Sequence, residues 1–128
     1  MRRRDFIIAA GSLATVGALN GCSSTRPGAL VRIQAGQIRG EIAAGVHRFL
    51  GVPYAEPPFG ELRFKAPVPR KSWDGVYTAN RYGLACAQTG RPQPGVPVAG
   101  EDCLNLNVWT PDPSATDLPV MVWVHGGE

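Results

Sequence analysis

Pro119-Val120-Met121-Val122-Trp123-Val124 runs straight into His125-Gly126-Gly127, and this stretch decides how the chain is read. A run that is apolar on both faces has the composition of an interior strand in a sheet covered by helices. A strand that ends in glycines bares backbone N–H groups at the edge of the sheet. A negatively charged oxygen can approach there with no side chain in the way. Taken alone, His125-Gly126-Gly127 reads as a strand-ending turn.

Upstream, Leu104, Leu106 and Val108 alternate with Asn105, Asn107 and Trp109, the pattern of a half-buried strand over Leu104 to Thr110. Pro111 to Leu118 is a turn-rich connection to the apolar run. Thr89 to Gly100 holds Gly90, Pro92, Pro94, Gly95, Pro97 and Gly100, and is expected as a surface loop. Lys65 to Trp73 is extended, with Trp73 as its anchor, and Thr78 to Ala85 has room for a helical turn. Leu30 to Gln34 and Gln37 to Ile42 form a hairpin, with Gly36 supplying the turn. Val46 to Leu50 is a third strand. It enters a segment in which Pro53, Pro57, Pro58 and Gly60 forbid a regular helix or central strand. Tyr54, Phe59 and Phe64 would hold that loop by burying their rings. No amphipathic helix follows the first 22 residues.

Those first residues have the order of an export signal. Arg2, Arg3 and Arg4 precede an apolar stretch from Phe6 to Leu19, too short for a comfortable membrane span. A buried N-terminal helix would not need that order. Arg3-Arg4-x-Phe6-Ile7 resembles a twin-arginine export address. Leu19-Asn20-Gly21-Cys22 resembles a lipobox, in which Cys22 becomes a lipid-bearing N-terminus; the alternative is simple cleavage near Gly21, leaving Cys22 as a spare thiol. The expected organisation is a signal over 1–22, a polar tether over 23–28 and a domain over 29–128. The expected location is the periplasm or the outer face of a bacterial membrane, with membrane contact through the lipid on Cys22.

Charge excludes one class of partner. The net charge is +3, and most of it lies in the arginine cluster of the signal. Beyond it only Arg70 and Lys71 are adjacent, so there is no basic stripe for nucleic acid. With 16 glycines and 12 prolines the chain is rich in turns.

Four segments together resemble the type-B carboxylesterase (cholinesterase-like) family. They are the hairpin around G-Q-I-R-G, F-L-G-V-P-Y-A-E-P-P-F-G-E-L-R-F from Phe49 to Phe64, E-D-C-L-N-L-N-V-W-T-P from Glu101 to Pro111, and P-V-M-V-W-V-H-G-G ending at Gly127. The resemblance implies an α/β fold, with these segments as the N-terminal strands and opening loops of an α/β-hydrolase. It implies that the backbone N–H groups of Gly126, Gly127 and Glu128 form the oxyanion hole for a tetrahedral intermediate. Glu128 stands where the family has a third glycine or alanine, and its carboxylate is a poor neighbour for a developing oxyanion. The resemblance further implies a Cys86–Cys103 disulfide, which would constrain the unfolded chain by roughly 3 kcal/mol; two buried free thiols are the alternative. Arg63 and Glu101 match a structural ion pair of the family, suited to a bidentate grip. His47 and His125, the only histidines, match no catalytic base.

The family's nucleophile sits in G-x-S-x-G. None of Ser12, Ser23, Ser24, Ser72 and Ser114 has a glycine at both flanking spacings. The acidic and histidine partners follow the nucleophile in chain order. The expectation is therefore an N-terminal fragment of an exported serine ester hydrolase, acting on small-molecule carboxylic esters without a metal or organic cofactor. These residues alone are expected to be inactive. The competing reading is a non-catalytic, lipid-anchored surface binding or adhesion module. Substrate pockets and oligomeric state are not encoded in these segments.

Overall fold

A computed structural model describes residues 25–89, 94 and 97–124. The signal, Cys22 and the stretch from His125 to Glu128 lie outside the described residues. Five strands form one sheet: β1 (Arg26–Ile33), β2 (Gly36–Ala43), β3 (Val46–Pro53), β4 (Val76–Thr78) and β5 (Asn105–Thr110). Their order is β1-β2-β3-β5, and β4 lies beside β2. Every pairing along the main path is antiparallel. The one parallel pair is β2 with β4, so β2 shares one edge between two partners. Gln37, Ile38 and Arg39 pair with β4, and Glu41, Ile42 and Ala43 pair with β3.

Two tight turns fold the first three strands on themselves. The first is Gln34–Ala35, not Gly36, which instead opens β2. The reason is Trp73, whose ring lies on Gly36 so closely that a Cβ there would come within 2.6 Å of Nε1. The indole N–H donates to Gln37 O at 3.1 Å, and the Trp73 backbone N–H donates to Ala35 O at 2.9 Å. Trp73 is thus the anchor expected of it, and the glycine admits it. β1 begins at Arg26, inside the stretch expected to be a free tether, with Arg26 opposite Ile42 and Pro27 opposite Glu41. Pro27 has no N–H to offer, which an edge strand tolerates.

β3 continues to Pro53, beyond the expected end at Leu50. Its register against β5 shifts between Phe49 and Val52, and Gly51 takes φ +66° inside that bulge. The helical turn expected over Thr78 to Ala85 is absent. Ala79 N–H donates to Arg39 O and Leu50 N–H donates to Ala79 O, so this backbone is consumed by β2 and β3. Groups paired across a sheet cannot also close a helical turn.

The core is small: Ile38, Phe49, Val52 and Ala79, with Val31, Ile33 and Trp73 packed on it. Three expectations about burial fail. Phe64 is 93% exposed, and Tyr54 and Phe59 are exposed as well. Leu106 and Val108 of β5 are exposed, while Asn105 and Asn107 are half-buried, so the polar face of that strand turns inward. Pro119 to Val124 is not an interior strand: Val120, Met121, Val122, Trp123 and Val124 are 78–90% exposed and belong to no sheet. An extended apolar run becomes a strand only when another strand takes its N–H and C=O groups. Among the described residues none does, and the only helical element is the 3-10 turn Gly60–Leu62.

Candidate functional site

β5 pairs with β3 through its backbone, and its inward asparagines add side-chain bonds to that ladder. Asn107 Oδ1 accepts the Gly51 N–H at 2.8 Å, and the Tyr77 hydroxyl donates to Gly51 O at 2.9 Å. Both polar groups of the bulge residue are therefore satisfied by side chains from two other elements. A Cβ at Gly51 would meet Arg81 O at 2.7 Å, and its φ is one that only glycine adopts cheaply. Asn105 Nδ2 donates to Leu84 O at 2.9 Å, tying the loop after β4 to the same strand. Burial, then the nearby Asp102 carboxylate, pushes the Tyr77 phenol up from its ordinary value. Alternation of apolar and polar residues marks β5 as a strand, yet it is the polar members that make the specific contacts.

Ahead of β5 lies the E-D-C segment. Asp102 takes Arg70 in a bidentate pair, at 3.0 Å to Nη1 and 2.9 Å to Nη2. The structure does not bring Arg63 and Glu101 together. Arg63 lies over the Phe64 ring, 4.9 Å from its centroid, and the two ion pairs among the described residues are Arg70–Asp102 and Arg48–Glu41. The Arg70–Asp102 clamp was not foreseen. Its signal in sequence is weak, an acidic residue beside Glu101 and a basic one in the only basic doublet after the signal. Cys86 and Cys103 are brought together, with their Sγ atoms 2.8 Å apart. Cys103 is buried and Cys86 is exposed. Burial first, then the hydrogen bond and charge of Cys86, push the Cys103 thiol up to about 11.

His47 stands opposite Thr110 in the β3–β5 ladder, with its Nδ1 buried and without a hydrogen-bond partner. Beyond the strand, Ser114 Oγ donates to Asp112 Oδ1 at 2.6 Å, and the Ser114 N–H donates to the same oxygen at 2.8 Å. A serine, a carboxylate and an imidazole therefore lie in one neighbourhood, but connected in the wrong order. The hydroxyl bonds the carboxylate, and no imidazole nitrogen stands ready to take its proton. That arrangement caps a turn and cannot activate a nucleophile. Gly126, Gly127 and Glu128 lie outside the described residues. No group of three metal-ligating side chains occurs among the described residues.

The model of the Carboxylesterase family matches residues 27–128. The chain is 44% identical over 107 residues to the para-nitrobenzyl esterase of Bacillus subtilis (strain 168), an alignment that covers 77% of this chain and 21% of that protein. It is 36% identical to the acetylcholinesterase of Danio rerio, over 99% of this chain and 23% of the relative. Among solved structures, a para-nitrobenzyl esterase superposes with a TM-score of 0.70 at 44% identity, covering 77% of this chain and 21% of its own. A carboxylesterase of Geobacillus stearothermophilus gives 0.66 at 41% identity, over 77% of this chain and 19% of its own. The chain thus spans about a fifth of the length of the proteins it matches. The expected fold class holds: the strands and loops are the N-terminal ones of α/β-hydrolase esterases.

Proposed function

This chain belongs to the carboxylesterase family, and from that premise we propose that it is the N-terminal part of an exported serine carboxylic-ester hydrolase. The observation that carries the proposal is the family match over residues 27–128, set against relatives of which the chain covers about a fifth. In the whole protein a serine from a G-x-S-x-G turn attacks the ester carbonyl. The backbone N–H groups of Gly126, Gly127 and Glu128 take the oxyanion, where preorganised donors act most strongly. The substrate is a small-molecule carboxylic ester, and no metal or organic cofactor takes part. Cys22 carries lipid and holds the enzyme on the outer face of the membrane, and Cys86 and Cys103 join as a disulfide in that oxidising compartment.

Residues 1–128 by themselves are inactive on this reading. They contain no serine flanked by the required glycines, and among the described residues the Ser114 hydroxyl bonds Asp112 and not an imidazole. The nucleotide sequence beyond the Glu128 codon, searched in all three forward frames, is expected to contain G-x-S-x-G. A protein carrying that continuation is expected to cleave a para-nitrophenyl ester and to lose activity as an alkylphosphonate adds to the serine. Activity that survives the reagent overturns the mechanism. Ester cleavage by residues 1–128 alone overturns the assignment of catalysis to residues beyond them. For the anchor, Cys22→Ala is expected to remove both acyl mass and detergent partitioning, and a wild-type protein without acyl mass refutes it.

A further inference from the structure

Asp74 and Gly75 form the bend between Trp73 and β4, and both are exposed. Gly75 takes φ +76°, and a Cβ built on it would meet nothing within 4 Å. The Gly75 N–H takes part in none of the turn and loop backbone bonds among the described residues. Asp74 belongs to neither of the two ion pairs there. A carboxyl group beside an unshielded glycine nitrogen can close a five-membered ring on it, because glycine has no side chain to block the approach. The other Asp and Asn residues described are each hindered. Asp102 is clamped by Arg70. Asp112 is held by Ser114 and precedes Pro113, which has no N–H. Asn105 and Asn107 spend their side chains on Leu84 and Gly51. Asn80 is bridged to Leu50 and precedes Arg81. Asp117 precedes Leu118, whose side chain crowds its own nitrogen.

We propose that Asp74–Gly75 is a site of spontaneous isoaspartate formation, and that conversion there releases β4 from β2. The Gly75 nitrogen attacks Cγ of the neutral Asp74 carboxyl. The N–H proton and the carboxyl hydroxyl leave as water, closing a succinimide. Water then opens the ring at either carbonyl. Opening at Cγ restores aspartate. Opening at the main-chain carbonyl leaves the chain running through Cγ, with the former main-chain carbonyl as a free carboxylate. One water is released and one is taken up, so no co-reactant is needed and the mass is unchanged. The product carries an extra methylene in its backbone, between two fixed points. Upstream, Trp73 is bonded to Ala35 O and Gln37 O. Downstream, Val76, Tyr77 and Thr78 are in register with Gln37, Ile38 and Arg39, and the Tyr77 hydroxyl donates to Gly51 O. A strand of 3 residues has few bonds with which to resist the lengthened connection.

The experiment ages the full chain in mildly acidic buffer and maps its peptides, with electron-transfer fragmentation separating isoaspartate from aspartate at equal mass. Isoaspartate is expected to accumulate at position 74 several-fold faster than at Asp102, Asp112 or Asp117. The rate at 74 is expected to match that of the chain in concentrated urea, since the fold leaves this bend open. Asp74→Glu, which would have to close a six-membered ring, is expected to yield no isomer there. Equal accumulation at 74 and 117, or a native rate several-fold below that in urea, overturns the site. Those wild-type rates decide the matter even where the variant fails to fold. After chromatographic separation of the two forms, the amides of Val76 to Thr78 are expected to exchange several-fold faster in the isoaspartyl form. Unchanged protection there overturns the release of β4 and leaves the modification site standing.

Discussion

Ile38 and Val122 are both β-branched aliphatic residues, yet Ile38 is 5% exposed and Val122 is 78% exposed. Ile38 lies in β2, whose partners β1 and β3 are its immediate neighbours in sequence, reached through two-residue turns. Val122 lies in a run for which the described residues supply no partner strand and no covering helix. The physical difference is distance along the chain. A hairpin closes its own loop at small entropic cost, whereas an interior strand of an α/β sheet depends on partners reached over long connections. Apolar composition says that a residue seeks cover. It does not say whether the cover is near.

The largest expected effect tests that difference directly. Phe49→Ala removes a ring from the centre of the core, and truncating a buried Phe costs about 3–5 kcal/mol. Val122→Ala removes side chain that solvent already surrounds, and such changes stay within about 0.5 kcal/mol. Amide hydrogen exchange reads both, with β2 and β3 protected in the wild-type chain and residues 120–124 exchanging freely. Strong protection over 120–124, or a Val122→Ala cost equal to that of Phe49→Ala, breaks the comparison.

The same reasoning explains what was legible in the sequence. The first hairpin, the third strand and β5 were readable because period and turn residues act locally. Trp73 was readable as an anchor, but Gly36 was misassigned as the turn because a glycine that admits a ring looks the same in sequence as one that bends the chain. Thr78 to Ala85 was misjudged because propensity cannot see that β2 and β3 claim its backbone. The exposure of Tyr54, Phe59 and Phe64 was misjudged because ring burial depends on non-local neighbours. The thiol pair was legible only through family resemblance, since spacing alone does not place Cys86 beside Cys103. The Arg70–Asp102 clamp escaped for the same reason, with the two residues brought together only by the fold.

A smaller effect is expected at the seam between the two regions. Asn107→Ala leaves the buried Gly51 N–H without its acceptor, which costs about 1–3 kcal/mol. Asn107→Asp keeps the acceptor and is expected to retain most of the protection of Gly51. Tyr77→Phe removes one hydrogen bond to a carbonyl and is expected to cost about 0.5–1.5 kcal/mol. Exchange of the Gly51 amide separates the two variants, since only Asn107→Ala frees that proton. Equal exchange in both would show that β5 is held by its backbone ladder alone.

The smallest effect concerns Asp112, beyond β5, where the hydrogen bonds to the carboxylate are local. The Ser114 hydroxyl and then the Ser114 N–H hold its carboxyl below the ordinary value of 3.8, with a smaller contribution from the His47 charge. A depressed carboxyl contributes stability that is fully present above its unfolded value and is lost as pH falls through the folded one. The window therefore lies below about 3.8 and neutral pH is unaffected. NMR titration of the Asp112 carboxyl is expected to give a midpoint under 3.8 in the wild-type chain. Ser114→Ala is expected to raise it only part of the way, because the backbone N–H still donates at 2.8 Å. The shift should survive in Phe49→Ala, since every strong contact to Asp112 comes from within two residues of it. A midpoint that returns to 3.8 when Phe49 is truncated would show instead that this turn depends on the sheet, and the two regions would then be one cooperative unit.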